Sequence, residues 1–310
     1  MGSIAGFFYE MMILYLIAFV GFIARKKSVL NNQANDVLTQ LVLYITLPAL
    51  IVFSLDMPFS SAILDDFLWL VGMSIYILAV SIYVAKWIGK KTSLPSMQGN
   101  VFEGLIVFGN QGFIGYAVIY MLFAEQGILY LTMFNICYLI LIWTYGIHLF
   151  TKSNEAIDWK KILLNPGIAA TMIGIIIFFL PVRLPAVAAQ TLESIGKMTI
   201  PLSMMLIGSL LAEVKGNELS RLLKNKHLWK VSLARLFIIP ACLFVFVLFP
   251  VSHSILVISV LASGMPSAPT VTLYAQKFGA DSQFASVGVM FTTILCAFSL
   301  PLIYSFLYFL

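Results

Sequence analysis

The chain consists almost entirely of apolar segments of about 20 residues that are separated by short polar connections. An α-helix of that length crosses the hydrocarbon core of a bilayer, which is about 30 Å thick. Of the 310 residues, 61% are hydrophobic and 10% are charged, whereas about a quarter of the residues in soluble domains are charged. The sequence therefore predicts a polytopic all-α membrane protein with about ten helices and no separate soluble domain.

Lysine and arginine are concentrated in every second connection. The first group, Arg25 to Lys27, directly follows the first apolar segment, which indicates an uncleaved span and not a secretory signal. The other basic connections contain Lys86, Lys90, Lys91, Lys152, Lys160, Lys161, Lys215, Arg221, Lys224 and Lys226. Because basic loops stay in the cytoplasm, the pattern predicts a multi-pass protein of the cell membrane with both termini outside.

The predicted spans divide into two halves of five around a polar connection. The first half covers residues 1–151, the cytoplasmic linker covers 152–161, and the second half covers 162–310. Because each half has an odd number of spans, the second half enters the membrane in the opposite sense, which predicts an inverted repeat. The TLP motif that ends at Pro48 recurs as TIP ending at Pro201, and this recurrence supports the repeat.

One predicted span in each half is interrupted by residues that weaken a membrane helix. Residues 107–118 read VFGNQGFIGYAV, and residues 260–272 read VLASGMPSAPTVT. The candidate helix-breaking residues are Gly109, Gly112, Gly115, Gly264, Pro266 and Pro269. Irregular backbone at membrane depth is tolerated only where protein or a water-filled cavity surrounds it. Interruptions at corresponding positions of two halves indicate the binding site of a transporter.

Several motifs occur in an order and spacing that point to a known family. They are LYITLPALIVFSL at 43–55, FGNQGFIG at 108–115, LLNPGIAA at 163–170, IPLSMMLIGSLL at 200–211, GMPSAP at 264–269 and AQKFGADSQFAS at 275–286. Through them the chain resembles bacterial members of the auxin efflux carrier family, which includes malate or malonate permeases and the plant PIN auxin carriers. The resemblance extends over the whole chain.

This resemblance implies ten transmembrane helices in a five-plus-five inverted repeat, similar to sodium/proton antiporters and bile-acid symporters. Spans one, two, six and seven are expected to form a scaffold that dimerises, and the scaffold prolines are Pro48 and Pro201. Spans three to five and eight to ten are expected to form a moving transport domain, in which spans four and nine unwind and cross. The family's asparagine and proline at this crossing carry over to Asn110 and Pro266. Gly115 to Ala117 stand where relatives often have a proline, so the first break depends on its glycines.

Two broken helices that converge present free amide groups and partial positive charge, which attract an anion. Neither interrupted segment contains the aspartate that crossed-helix cation antiporters place at this point. The expected substrate is therefore a small carboxylate. Its candidate ligands are Asn110, Gln111, Ser263, Ser267 and Thr270. Alternatively, Asn110 ties two helices together, and the hydroxyl groups bond to the backbone of their own helix.

Ionisable residues within or near the spans are candidates for ion coupling. Glu103 lies seven residues before Asn110 and is expected to share a helix face with it, which makes it a candidate protonation site, although the simpler interpretation is an interfacial carboxylate near the cytoplasmic end of the span. Lys197 is a candidate counter-charge for an anion, or it extends to the outer surface beside Glu193. Arg235 follows a basic connection and is expected to reach back to the cytoplasmic surface.

The sequence thus predicts a secondary carrier of a small organic anion, a mono- or dicarboxylate, that works by alternating access. The alternative is a proton- or sodium-coupled symporter of another small solute. An enzyme is not expected, because the spans contain no Ser/His or paired-Asp constellation. Cys137, Cys242 and Cys296 lack the spacing of a metal site or a disulfide framework, so no metal or cofactor is expected. The basic residues follow the pattern of membrane-protein loops, so the net charge of +5 does not imply a nucleic-acid partner.

Overall fold

The structure is a computed structural model that describes six parts of the chain. These are residues 4–56, 61–92, 94–151, 166–180, 183–212 and 224–309. The predicted linker at 152–161, the start of the sixth predicted span, and Lys215 and Arg221 lie outside them. The described residues form helices and no β-strand, and seven helical stretches, some of which join two or more of the helices numbered below, are long and apolar enough to span a bilayer. The prediction of a polytopic all-α membrane protein is confirmed, and the ten-helix inverted repeat stays a prediction.

We number the α-helices in chain order. They are α1 Ile4–Lys26, α2 Asn32–Leu41, α3 Leu47–Leu55, α4 Ser61–Lys90, α5 Ser96–Val107, α6 Tyr116–Trp143, α7 Tyr145–Phe150, α8 Pro166–Phe179, α9 Ala186–Lys197, α10 Thr199–Leu211, α11 Lys226–Leu233, α12 Ile239–Cys242, α13 His253–Ser263, α14 Pro269–Lys277 and α15 Ser282–Tyr308. Wider π-helical turns occur at Val42–Thr46, Gln111–Gly115 and Ala234–Ile238, and a 3₁₀ turn at Leu243–Leu248. Such π turns are rare and are often found at functional sites.

The described residues belong to two compact units. Unit 1 consists of Met1–Leu68, Gly112–Ile136 and Asp158–Lys215, as far as these ranges are described. Unit 2 consists of Trp69–Gln111, Cys137–Ile157 and Gly216–Leu310, with the same restriction. Several helices of each unit come from both halves of the sequence, so neither unit is a contiguous piece of the chain.

In unit 1, α1 packs along α10 at very short range. Gly21 lies against the backbone of Met205, and Gly208 lies against the backbone of Ala18. Small residues at a membrane helix interface allow this close approach of two backbones. In the same unit α3 packs against α8 and α9, and Pro48 is the second residue of α3. The π turn Val42–Thr46 directly precedes α3, so the helical path changes its hydrogen-bonding pattern just before Pro48, which has no N–H group to donate.

In unit 2, the long helix α15 packs against α5, α11, α13 and α14. One face of α15 is left uncovered, since Phe298, Leu302 and Phe306 are 74%, 63% and 56% exposed. Residues four positions apart lie on the same side of an α-helix. The result is an apolar stripe of the kind that a bilayer covers.

Candidate functional site

The first interrupted span contains a true break in the helix. Helix α5 ends at Val107, and the backbone of Phe108 is extended, with φ −99° and ψ 115°. Residues 108–110 are not helical, and the π turn Gln111–Gly115 follows them. Gly109 therefore lies in the break, whereas Gly112 and Gly115 lie in the turn that resumes the helix. The break forms without the proline that relatives often have nearby.

The end of α5 also corrects the expectation for Glu103. A shared face with Asn110 requires a continuous helix between them, but the helix ends at Val107 and three non-helical residues follow. The prediction of a shared face is therefore wrong. The half-buried carboxylate of Glu103 accepts a hydrogen bond from the hydroxyl of Tyr145 on α7.

The second interrupted span is broken over residues 264–268. Helix α13 ends at Ser263, and Ala268 is extended, with φ −74° and ψ 136°. Pro269 is the first residue of α14, a position where the missing N–H group would have no partner within the helix anyway. Gly264 and Pro266 lie within the non-helical stretch.

The two breaks pair with each other inside unit 2. Gly109 and Ser267 form an antiparallel bridge. The amide of Asn110 donates to the carbonyl of Pro266 at 2.6 Å, and the amide of Ala268 donates to the carbonyl of Phe108 at 2.9 Å. Buried backbone groups need hydrogen-bond partners, and here each break supplies them to the other. This pairing brings Asn110, Gln111 and Ser267 together.

Side chains satisfy further carbonyl groups at this crossing. The hydroxyl of Ser267 donates to Leu105 O at 2.7 Å, and the hydroxyl of Tyr138 donates to Gly109 O at 2.6 Å. The side-chain amide of Gln111 donates to Ala262 O at 3.3 Å. The Gln111 side-chain oxygen is buried and has no hydrogen-bond partner among the described residues. Side chains of several helices thus hold the crossing in place, and the side-chain oxygen of Gln111 remains available to accept a hydrogen bond.

Arg235 is also part of the crossing, although the sequence led us to expect it at the cytoplasmic surface. Its side chain is 2% exposed. Its Nε donates to Met265 O at 2.8 Å, and its Nη1 lies 3.3 Å from both Ile106 O and Val107 O. The expectation is wrong because these carbonyls, at the ends of two broken helices, provide partners and partial negative charge within the protein.

The second terminal nitrogen of Arg235, Nη2, lies directly over Gly109. A Cβ atom added at Gly109 would be 1.8 Å from Nη2. This nitrogen has no hydrogen-bond partner among the described residues. The ion pairs found in the described part of the chain are Arg183 with Asp56 and Lys197 with Glu193, so none of them neutralises Arg235.

The remaining predicted residues have other surroundings. Ser263 donates to Val260 O on its own helix, as its alternative interpretation predicts. Thr270 is the second residue of α14 and is half-buried.

In unit 1, Lys197 pairs with Glu193 at 2.5 Å, and their side chains are 44% and 35% exposed. An exposed pair of this kind contributes at most about 1 kcal/mol. Pro201 lies in the first turn of α10.

Sequence reasoning missed Tyr138, Thr292 and the role of Arg235. Thr292 on α15 accepts a hydrogen bond from the amide of Ser267 at 3.1 Å through its hydroxyl oxygen. Nothing in the residues around Tyr138 and Thr292 distinguishes them from other polar residues in apolar segments. For Arg235 a signal existed, because it is the tenth residue of the apolar span Lys226–Leu248 and thus close to its centre.

Comparison with known proteins connects this geometry to a family. A family model described as membrane transport protein matches residues 7–160 and 156–304, which together make up nearly the whole chain. The chain belongs to the auxin efflux carrier family. An uncharacterized transporter of Methanocaldococcus jannaschii is 25% identical over 295 residues, which are 91% of this chain and 92% of that protein. The family resemblance of the sequence motifs is confirmed, and auxin efflux carrier family members are membrane transport proteins.

In this member of the auxin efflux carrier family, the described residues contain no cluster of three or more His, Cys, Asp and Glu side chains that would hold a metal ion. Cys137, Cys242 and Cys296 are free. The polar groups that are buried at the crossing are amides, hydroxyls and one guanidinium. Such a set offers hydrogen-bond donors and one positive charge to a ligand.

Proposed function

We propose that this auxin efflux carrier family member is a secondary carrier of a small organic anion, a mono- or dicarboxylate. The substrate binds where the two helix breaks pair, and it crosses the membrane by alternating access. The observation that carries the proposal is the reciprocal pairing of the breaks through Asn110 and Pro266 and through Ala268 and Phe108. Broken helices that meet at membrane depth are the usual binding site of secondary transporters.

The chemistry of the crossing favours an anion over a cation. The sequence has no Asp or Glu between Phe108 and Val118 or between Val260 and Thr272, so a metal or sodium ion would find no carboxylate ligand there. Among the described residues, the charged side chain that is buried is the guanidinium of Arg235. A desolvated carboxylate needs hydrogen-bond donors or an opposite charge, and both types are present. We assign Asn110 and Gln111 as the first candidates for contact with the substrate.

The crossing is closed in this conformation. Asn110 and Gln111 are each 4% exposed, and Arg235 is 2% exposed. A substrate therefore reaches these side chains only after a conformational change. That requirement fits a carrier, which opens to one side at a time, better than a continuously open channel.

The same proposal includes the division into scaffold and transport domain, a homodimer formed through the scaffold, a cell-membrane location and outward-facing termini. Helices α1 to α3 and α8 to α10, which correspond to spans one, two, six and seven of the proposed scaffold, all belong to unit 1. Residues 112–136, which the proposal assigns to the transport domain, also belong to unit 1. The boundary between the two compact units therefore runs through spans four and five, whereas the proposal assigns both spans to the transport domain as a whole.

Counterflow in proteoliposomes tests the carrier proposal. The purified protein is reconstituted with an unlabelled carboxylate inside, and accumulation of the labelled carboxylate is followed for a series of mono- and dicarboxylates. We expect saturable exchange, and we expect Asn110→Ala to lower its initial rate about 30-fold, the equivalent of about 2 kcal/mol for a buried hydrogen-bond partner.

Asn35→Ala is the matched control, because Asn35 is another buried asparagine and its side chain accepts a bond from Ser209 in unit 1. Per amount of folded protein, this control should exchange at nearly the wild-type rate. If no carboxylate is exchanged by the wild type, the proposed function is wrong. Equal rates for Asn110→Ala and the wild type would remove Asn110 from the site.

One observation favours the alternative of a proton-coupled symporter. Glu103 is a half-buried carboxylate on α5, the helix that ends at the first break, and Tyr145 donates a hydrogen bond to it. The ammonium group of Lys86 lies 5.4 Å from the centre of the Tyr145 ring. If Glu103 carries the coupling proton, Glu103→Gln will remove the dependence of uptake on an imposed pH gradient. Glu193→Gln, which changes a carboxylate that is paired with Lys197 in unit 1, should leave this dependence intact.

Uptake with and without a pH gradient, and with and without sodium, measures the coupling in each variant. Retention of the pH dependence in Glu103→Gln would show that Glu103 is not the coupling site. A requirement for sodium in the wild type would instead favour the sodium-coupled alternative.

A further inference from the structure

The crossing contains two kinds of helix end with opposite partial charge. Helices α5 and α13 end there, and helix ends of this kind carry a partial negative charge of about half an elementary charge. Helix α14 begins there at Pro269, and the helical path that continues span four begins at Gln111. These beginnings carry a partial positive charge of about the same size. Without side chains, the crossing would attract cations and anions about equally.

Arg235 removes this balance. Its Nε and Nη1 donate to Met265 O beyond the end of α13 and to Ile106 O and Val107 O at the end of α5. The guanidinium thus occupies the negative helix ends and compensates their combined charge of about one unit. What remains uncompensated is the positive charge of the two helix beginnings, again about one unit.

We infer that Arg235 fixes the charge of the substrate, so that the site accepts an anion with a single negative charge. This inference rests on the proposed function, since it refers to the same crossing. A carboxylate at the helix beginnings completes the compensation, and a second ionised carboxyl group would be left without a partner in a buried site. Nη2, which is buried over Gly109 and has no hydrogen-bond partner among the described residues, is the N–H donor that Arg235 presents to the paired breaks.

Two measurements on wild-type protein test the single-charge requirement. Counterflow is compared at about pH 8, where carboxyl groups with ordinary pKa values near 4 are ionised, for a dicarboxylate and for its monomethyl ester. The half-ester differs by one charge and is of similar size. We expect the half-ester to be exchanged with a half-saturation concentration at least about tenfold lower, which corresponds to about 1.4 kcal/mol. A half-saturation concentration for the dicarboxylate that is equal to or lower than that for the half-ester would overturn the inference.

Variants of Arg235 test whether this residue sets the requirement. Arg235→Gln removes the charge and keeps a side-chain donor, whereas Arg235→Lys keeps the charge and loses the forked geometry. For each variant we compare a monocarboxylate with the amide of the same carbon skeleton as competitors of labelled substrate. The preference for the carboxylate should fall at least about tenfold in Arg235→Gln and recover substantially in Arg235→Lys.

The ratio of two competitors separates a role in selectivity from a role in structure. If Arg235 only ties the helices together, Arg235→Gln will lower the amount of active protein but will leave the carboxylate preference unchanged, and that result would overturn the inference. If Arg235→Gln does not fold, the wild-type comparison of dianion and half-ester still tests the single-charge requirement. Absence of all carboxylate exchange in the wild type would refute the proposed function itself, whereas exchange without charge selectivity would refute only the role of Arg235.

Discussion

Gly109→Ala is expected to lower carboxylate exchange about a hundredfold or more. The added methyl group would lie 1.8 Å from Nη2 of Arg235 and 2.7 Å from its Cζ. The guanidinium is buried and is held by carbonyl groups of both broken helices, so it cannot move aside freely. Losing two hydrogen bonds to a charged group would destabilise the crossing by about 3 kcal/mol, which corresponds to about a hundredfold effect.

The matched control for this experiment is Gly112→Ala. Gly112 belongs to the same interrupted segment, but a Cβ atom there would have no atom of the described residues within 4 Å. This variant should fold normally and exchange within about threefold of the wild type, because surface or open-space substitutions change stability by about 0.5 kcal/mol at most. The exchange activities of both variants are compared by their initial rates of counterflow, normalised to the amount of folded protein. A Gly109→Ala protein as active as Gly112→Ala would contradict the close packing of Arg235 on the break.

Gly208→Ala is expected to have the largest effect on stability in unit 1. The added Cβ would lie 1.7 Å from Ala18 O and 2.6 Å from Ala18 C. These are backbone atoms of α1, so α1 and α10 must separate along an interface that also brings Gly21 close to Met205. We expect a loss of at least about 2 kcal/mol, as for overpacking of a buried interface, and a lower melting temperature by several degrees.

Gly72→Ala is the control for this second experiment. Gly72 is also in a helix interior, in α4, and a Cβ there would meet no atom of the described residues within 4 Å. Alanine is a better helix former than glycine by about 1 kcal/mol, so this variant should be at least as stable as the wild type. Thermal unfolding in detergent is the measurement. If both variants unfold at the same temperature, the tight α1 and α10 interface is not formed in solution.

Much of the fold follows from local sequence. The first apolar segment, which directly precedes Arg25 to Lys27, is observed as the helix Ile4–Lys26, because apolar length and the basic residues after it define a membrane helix well. The interruptions were also located correctly, since glycine and proline weaken a helix at their own position. The pairing of Gly109 with Ser267 could not be predicted, because it depends on how two distant segments align in space.

The errors have a common physical cause. The interpretations of Glu103 and Arg235 both assumed that a long polar side chain acts along its own helix. Glu103 does not share a helix face with Asn110, because α5 ends at Val107. The side chain of Arg235 is buried in the protein because carbonyl groups of two other segments accept hydrogen bonds from it. Partners of this kind come from the tertiary structure, and sequence periodicity does not contain them.

The central claim, that a carboxylate binds at the paired helix breaks, is tested most directly by ligand-dependent stabilisation. Purified protein is titrated with three compounds of one carbon skeleton that end in a carboxylate, an amide or an amine, and the melting temperature is recorded. A ligand that binds the folded state raises its stability by about 2.7 kcal/mol at a hundred times its dissociation constant. We expect saturable stabilisation by the carboxylate alone, and its loss in Asn110→Ala but not in Asn35→Ala. Stabilisation by the amine or the amide to the same extent, or an unchanged response of Asn110→Ala to the carboxylate, would contradict an anion site at the crossing.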